Sequence, residues 1–166
     1  NLIIGGIPAE LGNLVNLELL DCSNGLFSGA LPAQLGNLTL LQSLNLTNNQ
    51  FNSPLPAELG NLSSLLIMNL SYNMFTGTIP PELGNLAQLQ TLNLGHNQFS
   101  GEIPAQLGNP AALQSLELDN NQFSGAVPAA LGNLTGLVLM DLSHNQFTGI
   151  PAELQTLDSL LTLDLS

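Results

Sequence analysis

The sequence predicts an α/β repeat solenoid in which about seven coils of 24 residues stack to form a parallel β-sheet. An apolar residue followed by proline recurs every 24 residues, with one final step of 23. Each period also contains one stretch of alternating polar and apolar residues and one Pro-Ala-x-Leu-Gly-Asn-like stretch. These anchors are Ile7-Pro8, Leu31-Pro32, Leu55-Pro56, Ile79-Pro80, Ile103-Pro104, Val127-Pro128 and Ile150-Pro151. A fixed period of this size is typical of solenoids, whose coils pack only on their neighbours, so residues 1–166 are predicted to form one domain.

The repeat at residues 79–102 shows where the strand lies. Residues 90–95 alternate polar and apolar side chains, which is the period of a half-buried strand. Leu86, Leu89, Leu92 and Leu94 are expected to point inward and to form continuous rows with their equivalents. Equivalent strands are predicted to begin near Glu18, Gln42, Leu66, Gln114, Val138 and Leu161.

The residues after the strand predict the rest of the coil. Asn97 begins the turn, and its amide is expected to satisfy backbone groups there. Phe99 and its equivalents are expected to form an interior stack. The segment after each anchor, with proline at its start and glycine near its end, predicts a short helical turn. The equivalents of Asn97 are Asn1, Asn49, Asn73, Asn121 and Asn145, with Gly25 as the exception.

The consensus LxxLxxLxLxxNxFxGxIPxxLGNL resembles the plant-type leucine-rich repeat family, and it recurs over essentially all 166 residues. The resemblance implies a right-handed superhelix with the parallel sheet on its inner, concave face. It also implies short second strands and 3₁₀ turns outside. Similar arrays form ectodomains of plant receptor kinases, polygalacturonase inhibitors and a carrot antifreeze protein. Such proteins usually carry paired cysteines in terminal caps, which this sequence lacks, so we expect an uncapped part of a longer array.

The composition excludes several partners. There are twelve Asp or Glu residues, two His, and no Lys or Arg. Nucleic acids and anionic membranes both require basic side chains, so neither is expected to bind. No apolar stretch is long enough for a transmembrane helix, and no signal peptide is recognisable. The single cysteine, Cys22, lies at a leucine position of the repeat and is predicted to be a buried apolar residue.

The resemblance implies that the variable strand positions face the concave side and bind the partner. These positions are rich in amides, hydroxyls and carboxylates, which suits hydrogen bonding to a polyhydroxylated or basic partner. The predicted function is non-catalytic binding of a protein or a cell-wall polysaccharide, outside the cell or at its surface. The candidate residues are Asn69, Tyr72, Asn93, His96, Glu117, Asp119, Asp141 and His144.

Catalytic and metal sites are less favoured. Glu117 and Asp141 lie on adjacent predicted strands, but a glycosidase places its two carboxyl groups across a cleft, and an open sheet offers none. His96 and His144 are two coils apart, about 10 Å, so one zinc ion cannot bind both. Oxygen ligands for calcium cluster at Glu117, Asp119 and Asp141, but no calcium-loop spacing is present. We therefore expect neither an enzyme, nor a metal site, nor a cofactor.

Five Asn-x-Ser/Thr sequons mark candidate glycosylation sites. The repeat consensus itself generates three of them. Glycans on Asn45 and Asn69 would lie on the inner sheet and would shift binding toward the C-terminal strands. The sequons begin at Asn37, Asn45, Asn61, Asn69 and Asn133.

Two other functions remain open at this stage. Ice binding would use periodic uncharged rows after the inner strands, and the absence of Lys and Arg favours it. A structural role would join uncapped coils end to end in a filament or adhesin. The uncharged rows are Gln50, Gln98, Gln122 and Gln146, interrupted by Met74, and Ser28, Asn52, Thr76, Ser100, Ser124 and Thr148.

Overall fold

The computed structural model describes residues 4–166, which wind into a solenoid with one inner strand per coil. Asn1, predicted to begin a turn, lies outside the described residues. The strands in chain order are β1 (Ile4–Gly5), β2 (Leu19–Asp21), β3 (Leu26–Gly29), β4 (Ser43–Asn45), β5 (Gln50–Phe51), β6 (Ile67–Asn69), β7 (Thr76–Gly77), β8 (Thr91–Asn93), β9 (Gln98–Gly101), β10 (Ser115–Glu117), β11 (Gln122–Ala126), β12 (Leu139–Asp141), β13 (Gln146–Gly149) and β14 (Thr162–Asp164).

The even-numbered strands form one seven-stranded parallel sheet, in the order β14-β12-β10-β8-β6-β4-β2. Adjacent strands pair in the register of the repeat, so that Asn93 lies beside Glu117 and Glu117 beside Asp141. The strands begin one residue later than predicted. Hydrogen bonds between coils already start at the predicted residue, where the Gln42 N–H donates to the Glu18 carbonyl at 2.7 Å.

The odd-numbered strands form two smaller parallel sheets, β1-β3-β5 and β13-β11-β9-β7. Their register is offset from the repeat by two residues. Thr76 pairs with Gln98 and not with its repeat equivalent Ser100, and Gln122 pairs with Ser100 and not with Gln98. Equivalent side chains therefore form straight rows on the inner sheet and oblique rows on these outer strands.

Each proline anchor is followed by a short 3₁₀ helix. The proline has extended backbone, with φ from −61° to −76°, and its fixed φ suits the residue that precedes the first turn. The described residues contain no α-helix, so the helical part of the predicted α/β solenoid is entirely 3₁₀. The helices are Ala9–Asn13, Ala33–Asn37, Ala57–Asn61, Pro81–Asn85, Ala105–Gly108, Ala129–Asn133 and Ala152–Thr156.

The core is a set of leucine rows beside a stack of phenylalanine rings. Leu86, Leu89, Leu92 and Leu94 are fully buried, as predicted. Burying one such side chain contributes about 1.5–3 kcal/mol. The rings of Phe27, Phe51, Phe75, Phe99, Phe123 and Phe147 stack in sequence, with centroids 5.5–6.4 Å apart. This confirms the predicted interior stack.

Cys22 is only partly buried, whereas its equivalents Leu46 and Leu70 are fully buried. The reason is position, because β2 is the edge strand of the inner sheet within residues 4–166. The side chain still packs against the core, and burial raises the pKa of the thiol. The protonated thiol is a poor nucleophile, which agrees with the expected apolar role.

The repeated asparagine ties neighbouring coils together. The Asn97 Nδ2 group donates to the carbonyls of Leu70, Leu94 and Gly95 at 3.0–3.2 Å. Its Oδ1 atom accepts the N–H of Phe75 at 3.0 Å. Asn49, Asn73, Asn121 and Asn145 repeat this pattern. The predicted structural role of this residue is confirmed.

Candidate functional site: the inner sheet

The last residue of most inner strands uses its side chain to end the strand. Asn93 Oδ1 accepts the N–H of Gly95 at 3.0 Å, and Asn69 Oδ1 accepts the N–H of Ser71 at 3.1 Å. This is the local bond that Asn and Asp make with the backbone two residues on. Asp21, Asn45, Asp141 and Asp164 do the same. One side-chain oxygen in each of Asn69, Asn93 and Asp141 therefore stabilises the fold. The sequence did not predict this role, although an Asn or Asp recurs at the end of most inner strands.

The turn after each strand contains a residue with left-handed backbone. Its φ is 51–56° at Asn24, Asn48, Tyr72, His96, Asn120 and His144. Asparagine, aspartate and histidine are the residues with a side chain that adopt this conformation most often, so Tyr72 departs from the favoured choice. Hydrogen bonds between coils hold the strained turn, as where the Tyr72 N–H donates to the Gly95 carbonyl at 3.1 Å. Strained backbone of this kind is common at binding sites.

Tyr72, His96 and Asp119 lie just after the ends of β6, β8 and β10 and form what we term the aromatic cluster. The rings of Tyr72 and His96 stack with centroids 4.1 Å apart and planes 14° apart. His96 Nε2 lies 3.3 Å from Asp119 Oδ2, which also accepts the Asn120 amide at 2.9 Å. Tyr72 is 55% exposed, so the cluster presents an aromatic edge to solvent.

Gly95 makes room for the aromatic cluster. Equivalent positions hold Ser71 and Ser143, whereas a Cβ atom at Gly95 would collide with Asp119 Oδ1. Because glycine has no side chain, the Asp119 carboxylate can extend over the neighbouring coil and contact His96. Sequence reasoning placed Gly95 in a row of variable residues without recognising this role, because the contact depends on the side-chain direction of the next coil.

Glu117 forms a second polar contact beside the aromatic cluster. Asn93 Nδ2 donates to Glu117 Oε2 at 2.8 Å, and Ser115 Oγ donates to Glu117 Oε1 at 2.9 Å. Asp141 lies next to Glu117 on β12, but its Oδ1 atom accepts the hydroxyl and N–H of Ser143. The structure thus joins Tyr72, His96 and Asp119, joins Asn93 and Glu117, and leaves Asn69 and Asp141 bonded at their own strand ends. His144 is exposed, two coils from His96.

No cleft in the described chain encloses the carboxylate pair. Two cavities, of about 320 and 370 Å³, lie at the two ends of the solenoid. The first is lined by Val127, Leu142, Phe147, Thr148, Gly149, Ile150 and Leu165, and the second by residues 13–17. Within residues 4–166, no three His, Cys, Asp or Glu side chains converge to hold a metal ion. The inner sheet is an open surface.

The same repeat is found by comparison with known families. One leucine-rich repeat model matches residues 40–62, 64–86 and 88–110, and a second matches residues 111–166. The chain belongs to the leucine-rich repeat family. Its repeats are of the plant type, as the consensus predicted. A comparison with curated protein sequences found no match.

Solved structures resemble this leucine-rich repeat chain closely. The ectodomain of the receptor kinase GASSHO1/SCHENGEN3 from Arabidopsis thaliana is 47% identical, with a TM-score of 0.96 over 98% of this chain. The Arabidopsis receptor kinase HAESA is 40% identical, with a TM-score of 0.95 over 99%. A plant ice-binding protein is 28% identical, with a TM-score of 0.75 over 98% of this chain and 68% of its own. The chain spans only 20% and 28% of the two receptor chains.

The five sequons of this leucine-rich repeat chain fall into two groups. Asn37, Asn61 and Asn133 are exposed at the ends of 3₁₀ helices. Asn45 and Asn69 end inner strands and are partly buried, and their Oδ1 atoms accept backbone N–H groups. The exposed group is accessible to glycosylation without blocking the inner sheet. Among the described residues, no helix is long and apolar enough to cross a membrane.

The acid at the end of β2 gives the leucine-rich repeat chain a measurable pH dependence. Hydrogen bonds from Ser23, chiefly from its N–H, lower the pKa of Asp21. The folded pKa lies below the unfolded value, so the stabilisation is complete above the unfolded pKa and is lost as the pH falls through the folded pKa. We expect Asp21→Asn to unfold at lower urea concentration than wild type at neutral pH, and the difference to disappear in acid.

A control variant separates this effect from net charge. Asp158→Asn also removes one negative charge, but at an exposed position outside the inner sheet. Urea titrations at neutral pH and below about pH 3 compare the two variants with wild type. A difference for Asp21→Asn that persists unchanged in acid would contradict the assignment to the charged carboxylate.

Proposed function

We propose that the inner sheet is an extracellular, non-catalytic surface that binds a protein or peptide. The observation that carries this is the aromatic cluster, whose Tyr72 and His96 rings stack on strained left-handed backbone where asparagine serves in three other coils. Neither ring is needed to build the coil, so the pair is available for recognition. Exposed tyrosine is favoured at interfaces because it combines apolar area with a hydrogen-bonding hydroxyl.

The polar groups around the aromatic cluster offer directional hydrogen bonds to a ligand. Asp119 and Glu117 accept hydrogen bonds, and Asn93 and Asn69 orient their neighbours or retain free donors. Asp141 and His144 extend the same face toward the C-terminal coils. The similar GASSHO1/SCHENGEN3 ectodomain was solved with CASPARIAN STRIP INTEGRITY FACTOR 2, and HAESA with the peptide hormone IDA and the co-receptor SERK1. Both cases support a protein partner and an extracellular location for this chain.

Replacing Tyr72 and His96 by asparagine tests the proposal without disturbing the fold. Asn24, Asn48 and Asn120 already occupy equivalent turns, so Tyr72→Asn with His96→Asn should retain or slightly raise stability. Peptides selected from a displayed random library on the wild-type protein are expected to bind this variant at least about tenfold more weakly. Fluorescence anisotropy measures the affinities, and urea titration verifies the fold.

Gln122→Ala is the matched control, since Gln122 is exposed on an outer strand. It should bind the selected peptides as wild type does. Selected binders that are unaffected by the asparagine variant, or equally affected by the control, would refute the inner-sheet assignment. An oligosaccharide array probed with the same three proteins tests the cell-wall polysaccharide alternative.

Ice binding is the second candidate, supported by the likeness to a plant ice-binding protein and by the uncharged outer rows. Those rows are oblique, because Thr76 pairs with Gln98 and not with Ser100. This weakens the case for a regular lattice match and places the candidate second. Thermal hysteresis at millimolar protein decides it. If Thr76→Lys and Ser100→Lys abolish thermal hysteresis and the Tyr72 variant retains it, the outer face binds ice. If the wild-type protein shows no thermal hysteresis, ice binding is eliminated.

A further inference from the structure

The C-terminal half of the inner sheet carries a row of negative charges that folding does not require. Glu117, Asp141 and Asp164 lie directly beside one another on β10, β12 and β14. Like charges in register across a sheet are destabilising. At the equivalent position, Asn45, Asn69 and Asn93 make the same strand-ending bond without a charge. An amide therefore suffices to end the strand at this position, and the negative charge is not required to form the turn.

The chain has no Lys or Arg to neutralise this row. Of its two imidazoles, His96 lies against Asp119 and His144 acts electrostatically on Asp164, and within residues 4–166 neither lies at ion-pair distance from Glu117 or Asp141. Within residues 4–166, the side chains of Glu117 and Asp141 accept hydrogen bonds from amide, hydroxyl and backbone N–H groups only. A cationic side chain that pairs with Glu117 and Asp141 would therefore belong to a partner.

Exposed apolar side chains lie on the same face, two strands away. Ile67 on β6 is 43% exposed, and Tyr72 follows it in the next turn. Equivalent residues of Ile67 in the adjacent coils are Ser43 and Thr91, and the other aliphatic residues at this position are Leu19, which is 62% exposed, and Leu139, which is partly buried. The distance from β6 to β10 or β12 is two or three strand spacings, about 10–14 Å. An extended chain covers that distance in about three to four residues.

We propose that the inner sheet binds an extended peptide segment in which a Lys or Arg follows or precedes an aliphatic or aromatic residue by three to four positions. The apolar residue packs on Ile67, and the basic side chain lies between Glu117 and Asp141. This deepens the proposed function and rests on it, since it assigns the chemistry of the peptide bound by that face.

Synthetic peptides test the charge requirement. The probe is a fluorescein-labelled Gly/Ser peptide of about ten residues with one leucine and an arginine pair beginning four residues away. We expect it to bind at low salt, and we expect citrulline in place of arginine, leucine replaced by serine, or a spacing doubled to eight to weaken binding at least about tenfold. Raising NaCl from about 50 to about 500 mM should also weaken it.

Charge-matched protein variants locate the site. Glu117→Gln with Asp141→Asn should weaken the arginine peptide at least about tenfold, because asparagine is native to this position in three coils and the fold is retained. Glu58→Gln with Glu82→Gln removes the same charge from exposed 3₁₀ helices and should bind as wild type. Equal losses in both variants, or equal binding of the citrulline peptide, would overturn the proposal.

The outcome is separable from that of the proposed function. Library peptides that depend on Tyr72 and His96 but lack basic residues would overturn this inference and leave the inner-sheet surface established. Library peptides that ignore Tyr72 and His96 would refute the proposed function itself. An enriched basic residue at the stated spacing, with dependence on Glu117 and Asp141, supports both.

Discussion

Replacing Asn97 by alanine is expected to lower the free energy of unfolding by about 3 kcal/mol, the largest effect among the substitutions considered. The side chain is buried and serves three carbonyls and one N–H, drawn from its own coil and the preceding one. Each buried backbone group left without a partner costs about 1–3 kcal/mol, and the Gly95 carbonyl retains the Tyr72 N–H as a second donor. Urea denaturation followed by circular dichroism measures the loss.

Asn85→Ala provides the control for this prediction. Asn85 is exposed at the end of a 3₁₀ helix in the preceding segment of the same repeat, so its truncation should change stability by less than about 0.5 kcal/mol. Asn97→Asp keeps the acceptor for the Phe75 N–H but removes the amide donors, and it should be nearly as damaging as alanine at neutral pH. A loss for Asn97→Ala no larger than that of Asn85→Ala would show that water replaces the amide.

Replacing Gly84 by alanine is expected to cost about 2–3 kcal/mol, because two coils approach too closely there to admit a methyl group. The added Cβ would collide with the backbone carbonyl of Gln106 and would lie 2.8 Å from the Gln106 Cβ. Both belong to the next 3₁₀ helix, so relief requires the coils to separate. Equivalent collisions occur at Gly12, Gly36, Gly60, Gly108 and Gly132.

Gly136→Ala is the matched control for this close approach. Its added Cβ would meet nothing nearer than 3.7 Å, and its φ lies outside the left-handed region. The substitution should therefore be neutral or slightly stabilising, since alanine restricts the unfolded chain. Urea midpoints for both variants measure the difference. If Gly136→Ala lost as much stability as Gly84→Ala, the loss would follow from replacing any glycine and not from the close approach of two coils.

The features that sequence reasoning predicted are those that depend on one coil alone. The alternation around Leu92 predicted a strand, the repeated Asn97 predicted a backbone-bonding turn, and Phe99 predicted an interior stack; all three are confirmed. The features that were not predicted from the sequence depend on contacts between neighbouring coils. Gly95 supports Asp119 across a coil boundary, and the two-residue offset of the outer strands has no signature in the period itself.

The candidate site was predicted in outline but not in its internal organisation. Tyr72, His96 and Asp119 were named together, and the structure brings them into contact. Asn69 and Asp141 were named for the same purpose, but each commits an oxygen to ending its strand. Local geometry decides whether an Asn or Asp side chain ends its strand, and residue type alone does not predict it.

The straight register of the inner sheet has a consequence for any extended ligand that crosses it. The coils repeat about every 4.8 Å, whereas the residues of an extended peptide repeat about every 3.3 Å. Because the two spacings differ, ligand residues and coils align only at intervals. They coincide when three ligand residues span two coils. The strands β6 and β10, which carry Ile67 and Glu117, are separated by that interval. A ligand can therefore meet equivalent positions only on alternate coils, and the coil between is free to vary without affecting the match.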